Sequence, residues 1–226
     1  MTSNSRSEPM TTAPVTDTEL KAMIAAERRE LADALADLPA SFWDLQTLCA
    51  GWRVRELVAH MTMPFRYSTS RFLMEMVRDT GNVNRMADRC ARRDAVIAAD
   101  ELVTVMRENA TTAWKPPGGG FEGALVHDVV HGLDFTLPLG IDRAVPEERL
   151  RVVLTNLTKP KPLKFFGVDL TGIELLADDI DWRFGAGTPV FGAAQDLVLV
   201  LCGRNLPAGH LRGELSANLS SGIKQG

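Results

Sequence analysis

Apolar residues recur at helical spacing through the first two-thirds of the chain. Leu20, Ile24, Leu31, Leu35 and Leu38 line one face of a predicted helix, with Asp17 as its expected N-cap and Pro39 closing it. The same reading predicts a second helix from Trp52 to about Arg78, and a third from Asp94 to Trp114. The run Pro-Pro-Gly-Gly-Gly over 116–120 is a strong break. A fourth helix then runs from Phe121 to about Leu137, stopped by Pro138 and Gly140. Four amphipathic helices with one longer crossover, near 79–93, predict a four-helix bundle over residues 17–145. Pro64 should crowd the His60 carbonyl one turn back and kink the second helix.

The texture changes beyond residue 145. One short helix is expected after Pro146, which suits a helix start. Phe165, Val168, Leu170, Ile173, Leu175 and Ile180 then alternate with polar and turn residues as strands do. Residues 188–202 read as a strand entering a buried helix. The expected fold class is therefore α+β: a helical bundle followed by a small α/β domain over residues 146–226.

An apolar fraction of 45% in 226 residues is enough for a sizeable core, so global disorder is excluded. Residues 1–16 are Ser/Thr/Pro-rich and read as a disordered lead-in without the apolar stretch of a signal peptide. The longest apolar run, Leu197–Cys202, is too short to span a bilayer. A cytoplasmic protein with no membrane partner is expected, as a monomer or homodimer. The net charge of -4 gives no nucleic-acid footprint. Arg85, Arg89, Arg92 and Arg93 do cluster, but Asp88, Asp94, Asp100 and Glu101 interleave or follow, which predicts a solvated mixed-charge face. Cys49, Cys90 and Cys202 are odd in number and far apart, so neither a disulfide framework nor a CxxC metal site is expected.

The candidate chemistry lies in the histidines. His127 and His131 stand four apart on the fourth helix, which puts both imidazoles on one face, one turn apart. His60 lies on the second helix, and bundle metal sites are built from side chains on facing helices. Three imidazoles on a divalent ion, zinc being the expected one, leave a tetrahedral position open. Asp134 shares the His127–His131 face and suits the role of outer partner to a ligating imidazole. Glu56, one turn before His60, is a candidate outer partner or fourth ligand, with a plain helix salt bridge as the alternative. Asp128 points about 100° from His127 and is expected in solvent.

Two segments carry a family resemblance. Residues 47–61, with Cys49, Gly51, Trp52 and His60, and residues 124–140, with His131, Gly132, Asp134, Pro138, Leu139 and Gly140, resemble the mycothiol-dependent maleylpyruvate isomerase family of DinB-like metalloproteins. His127 takes a place that is often a carboxylate in that family. Residues 167–204 and 211–215 resemble the family's small sterol-carrier-like domain. The resemblance implies a metal site at His60, His127 and His131 that activates the thiol of mycothiol. It further implies cis–trans isomerisation of, or thiol transfer to, a small electrophilic or anionic substrate. Arg204 matches the position of a functional arginine, to hold an anion of substrate or cofactor, with Arg212 and Arg183 as alternatives. Trp52 is a candidate wall of the cofactor site or an apolar anchor. Cys49 is expected to be structural, and Trp182 to belong to the small-domain core.

Two other functional classes stay open on the sequence. One is a non-enzymatic module that binds metal or a small ligand. The other is a metal-dependent hydrolase without mycothiol, for which Glu56 is the candidate acid–base group.

Overall fold

The computed structural model describes residues 15–220. All but Val15 and Thr16 of the Ser/Thr/Pro-rich lead-in lies outside them. The fold is α+β, helical first and mixed afterwards. Helix α1 spans Asp17–Ala36, and Thr16, not Asp17, caps it. The Thr16 hydroxyl accepts from the Glu19 N–H while the Glu19 carboxylate accepts from the Thr16 N–H, a reciprocal box that Asp17 cannot complete.

The expected second helix is two. Helix α2 covers Val54–Arg66 and α3 covers Thr69–Arg78. Pro64 sits within α2 and removes the N–H that would bond the His60 carbonyl. The helix ends two residues later, Tyr67 turns extended, and Ser68 caps α3 by accepting from the Arg71 N–H. The crossover is also helical: α4 spans Val83–Asp94, capped by Asn82. Helix α5 is shorter than expected, Ala99–Glu108, and α6 runs Gly120–Thr136.

The mixed-charge run on α4 is only partly a solvated face. Arg92 is exposed and pairs with Asp88 on its own helix. Arg89 and Arg93 instead reach the buried carboxylates Asp79 and Glu75 at 2.6 Å each. Asp94, also buried, accepts from Arg66 and from the Tyr67 hydroxyl. Buried carboxylates need such partners, because an unpaired buried charge is very costly.

Helices α1, α2, α5 and α6 pack against one another, and α4 covers α2. Leu31, Leu35, Trp43, Leu57, Leu102, Met106 and Phe135 form one apolar cluster between them. Each fully buried leucine or phenylalanine stabilises by about 1.5–3 kcal/mol. Gly132 lets α1 and α6 approach closely, since a Cβ there would lie 2.7 Å from Leu31 Cδ2.

After α6 come α7 (Glu147–Leu157) and α8 (Pro160–Phe166). Phe165 thus belongs to a helix, not a strand. Pro160 at the first turn and Gly167 in the left-handed region (φ 66°) bracket a short helix. Strands β1 (Ile173–Ala177), β2 (Arg183–Gly185), β3 (Thr188–Gly192) and β4 (Leu211–Arg212) form a sheet in the order β2-β1-β3-β4. Val168, Leu170 and Ile180 fall outside the strands. Strands β1 and β3 are parallel, with Leu175 beside Val190, and the outer pairs are antiparallel. Helix α9 (Ala194–Leu201) follows β3 and packs on α6, α7 and β1. A second apolar cluster joins Ile24 of α1, Leu125, Val129 and Leu133 of α6, and Leu197–Leu201 of α9. So α1 and α6 contribute to both clusters, and α6 carries two of the three candidate histidines. A last helix, α10, covers Ser216–Ser220.

Candidate metal centre

His60 of α2 faces His127 and His131 of α6. Each imidazole offers one nitrogen, and the three lie within 4.8 Å of one another. His60 Nε2 and His127 Nε2 are 3.2 Å apart. Two nitrogens at 2.0–2.1 Å from a tetrahedral zinc are about 3.3 Å apart. The donor set therefore fits a borderline divalent ion that takes imidazole ligands.

Hydrogen bonds from outside the cluster aim two of the rings. Asp134 Oδ2 lies 2.9 Å from His131 Nδ1, and Asp128 Oδ1 lies 2.9 Å from His127 Nδ1. An ionised carboxylate only accepts, so each Nδ1 carries the proton and each Nε2 keeps its lone pair for a ligand. His60 Nδ1 is buried with no hydrogen-bond partner among the described residues.

Both carboxylates are held charged by arginines. Asp134 is 0% exposed and accepts Arg204 Nε at 2.7 Å and Nη2 at 2.8 Å. Asp128 accepts Arg28 Nε at 2.7 Å. Burial pushes both carboxyls up, but the arginine and histidine partners outweigh it and keep them below the usual range. Burial lowers the imidazoles: His131 falls to about 4, against the raising effect of Asp134, and His60 falls well below its ordinary value. Both are neutral at pH 7, the form that binds a metal.

Asp128 departs from its expected place in solvent. Its partner Arg28 lies on α1, and the pair is sealed between helices. Glu56 takes the helix salt-bridge alternative. It accepts from the Arg53 N–H at 2.9 Å and from the Arg53 guanidinium, capping α2 instead of reaching His60. The hydrolase reading thereby loses its acid–base candidate.

The remaining expected residues surround the cluster. The Trp52 ring lies 5.0 Å from His60 and 6.5 Å from His131, anchored by its N–H to Asp88 at 2.8 Å. Trp114, not singled out on sequence, meets His127 edge-on at 5.3 Å. Arg204 reaches the site from the exit of α9. Gly203 turns the chain in the left-handed region (φ 69°), with Arg204 N–H returning to the Leu199 carbonyl and Gly203 N–H to Val200. Cys49 Sγ lies 3.9 Å from Arg204 Nη2, and burial pushes its thiol up to about 11 despite that cation. Arg212 pairs with Asp178, and Arg183 lies near Glu174, both on the sheet. Trp182 packs against the apolar cluster of the sheet and α9, stacked on Phe184.

A helical layer that gathers three imidazoles from two helices, joined to a small mixed sheet, defines a candidate metal-binding protein of the α+β class. Residues 24–134 match the family described as the mycothiol maleylpyruvate isomerase N-terminal domain, and this part of the chain is a domain of that family. Its fold resembles a crystal structure of the mycothiol-dependent maleylpyruvate isomerase, with a TM-score of 0.60 and 15% identity, covering 88% of this chain and 93% of that one. A histidine-to-alanine mutant of that isomerase superposes with the same TM-score and coverage at 13% identity. No curated protein matches the sequence at a significant level. Among the described residues, no helix is long and apolar enough to cross a membrane.

Proposed function

We propose that the protein is a mycothiol-dependent metalloenzyme whose single divalent ion, with zinc favoured, is held by His60, His127 and His131. The observation that carries this reading is the convergence of three imidazole nitrogens within 4.8 Å, two of them in rings oriented by buried carboxylates. When bound, the ion supplies the Lewis acidity that keeps a coordinated thiol in its reactive thiolate form. Cis–trans isomerisation of an activated double bond and thiol transfer to a small electrophile both require that form.

The chain's own residues serve this chemistry in definable ways. An imidazole binds a metal in its neutral form, so a ligand set of three histidines would leave the charge of the ion available to an anionic partner. Asp128 and Asp134 fix two ring tautomers, and Arg28 and Arg204 balance those carboxylates. Trp52 and Trp114 supply apolar walls beside the imidazoles and limit the water around them. Arg204 is assigned to holding an anion of substrate or cofactor, a role it shares with orienting Asp134. We assign residues 17–145 to a DinB-like four-helix metal domain and residues 146–226 to a small sterol-carrier-like domain that delivers Arg204.

The test is metal content and zinc-dependent thiol binding, measured together on wild type and His131→Ala. One zinc and a bound thiol in wild type, both lost in the variant, support the reading. A wild-type protein with neither sinks it, and zinc without thiol affinity removes mycothiol from it.

A further inference from the structure

We propose that Asp128, fixed by the buried Arg28, is the positioning residue that presents His127 as an Nε2 donor, so that a carboxylate–arginine pair joining α1 to α6 belongs to the metal-binding apparatus. This rests on the three-histidine reading above and concerns residues outside the cluster.

The geometry runs in one line. Arg28 Nε donates to Asp128 Oδ2 at 2.7 Å, and His127 Nδ1 donates to Asp128 Oδ1 at 2.9 Å. Each carboxylate oxygen thus has its own donor. The shared proton belongs to the imidazole, which leaves the lone pair on Nε2, the atom 3.2 Å from His60 Nε2. A flip of the His127 ring would break the Asp128 bond and turn the lone pair away.

Arg28 is built to hold that carboxylate still. It is 1% exposed, and its Nη1 donates to the Thr112 carbonyl at 2.8 Å, beyond the end of α5. Its guanidinium lies 4.9 Å from the Phe65 ring centroid, on α2. Three segments therefore converge on a cation carried by a fourth, and Asp128 has no freedom to follow solvent. Stability alone does not explain such a pair, since buried ion pairs are often replaceable by apolar residues without loss. Orientation of His127 does explain it, because the carboxylate is shared between the arginine and the imidazole.

The same relay occurs on the other side, where Arg204 holds Asp134 and Asp134 holds His131. The two relays differ in origin. Arg204 arrives from the exit of α9, whereas Arg28 is supplied from within the helical part. His127 is thereby oriented independently of Arg204.

The first test needs no variant. In metal-free wild type, long-range proton–nitrogen correlation of the imidazoles should report His127 as the Nδ1–H tautomer; an Nε2–H ring overturns the proposal. The second is zinc affinity by competition with a chromophoric chelator, comparing wild type with R28M/D128L, which removes the pair without stranding a charge. Affinity should fall about 10- to 100-fold while the far-ultraviolet spectrum is retained. Equal affinity in a folded double variant shows a mere staple and overturns the proposal alone. Wild type that binds no zinc overturns the metal reading and this proposal with it. If the double variant does not fold, Asp128→Glu displaces the carboxylate by one methylene and should lose at least about tenfold in affinity; no loss there has the same overturning meaning.

Discussion

Arg204 and Asp134 meet as a bidentate pair, Nε on Oδ1 at 2.7 Å and Nη2 on Oδ2 at 2.8 Å, although 70 residues separate them. The pair ties the exit of α9 to the inner face of α6, with the carboxylate fully buried. Replacing Arg204 by methionine would strand that carboxylate. Breaking a buried pair from one side costs about 3–5 kcal/mol. Urea denaturation of metal-free Arg204→Met should show a loss of that order, and Arg204→Lys should recover only part, because an ammonium lacks the planar fork. A loss below about 1 kcal/mol would mean that the pair is not buried as described.

The imidazoles make the metal-free protein sensitive to mild acid. Burial drops His131 to about 4, whereas an unfolded histidine titrates near 6.5. Between those values the unfolded chain takes up a proton that the folded protein refuses. His131's contribution is therefore complete above pH 6.5 and is lost as pH falls towards 4. At about 1.4 kcal/mol per pH unit, roughly 3 kcal/mol should disappear across that window for this ring alone. His60, lowered in the same direction by burial, adds to the loss. Urea denaturation at pH 7 and pH 4.5 should show the trend, with a shallower slope in His131→Asn. Stability that rises on acidification would contradict the burial of these rings as neutral groups.

The α6 half of the cluster was legible in the sequence, because helical spacing alone puts His127 and His131 on one face with Asp134 one turn beyond; His60 joins them only through the packing of α2 on α6. What escaped were partners that only the tertiary fold brings in. Asp128 reads as solvated from its angle on α6, yet Arg28 meets it from α1, one hundred residues earlier. A signal did exist: Glu27 and Arg28 occupy the stripe between Ile24 and Leu31 where apolar residues belong, and both are buried. The same reason explains why the α4 run is only partly a solvated face: Arg85 and Arg92 are exposed, while Arg89 and Arg93 neutralise Asp79 and Glu75 on chain that folds back on α4. Glu56 has two local options, and the α2 cap, three residues away, prevails over an imidazole four residues away. The break at Tyr67 and Ser68 follows from Pro64, whose missing N–H weakens the last turn while Ser68 offers a fresh cap. The strand-like alternation around Phe165 was overruled by the proline and glycine that bracket α8.

Cys49 lies close enough to Arg204 to invite a nucleophilic role, but its thiol is pushed up to about 11 by burial. At pH 8 only about one molecule in a thousand would then carry the thiolate, the reactive form. Alkylation of Cys49 by iodoacetamide should be slow at pH 8 and rise about tenfold per pH unit towards pH 10. Cys49→Ser should leave zinc content unchanged. Rapid labelling near neutrality would instead identify an activated thiol beside Arg204. Peptide mapping separates it from the buried Cys90 and Cys202.

Trp52 and Trp114 give the proposed ion an optical reporter. Their rings lie 5.0 Å from His60 and 5.3 Å from His127, so an open-shell ion on the imidazoles would quench both by contact-range electron or energy transfer. Trp43 packs with Leu31 and Leu57 in the helical core, and Trp182 stacks on Phe184 in the sheet. Titration with cobalt(II) should therefore remove part of the tryptophan emission and saturate near one equivalent. Trp52→Phe and Trp114→Phe should each reduce the quenchable fraction, and the double variant should abolish most of it. Closed-shell zinc added first should block the effect. Quenching that persists in the double variant, or that zinc fails to block, would place the cobalt elsewhere on the surface and argue against the three-histidine site.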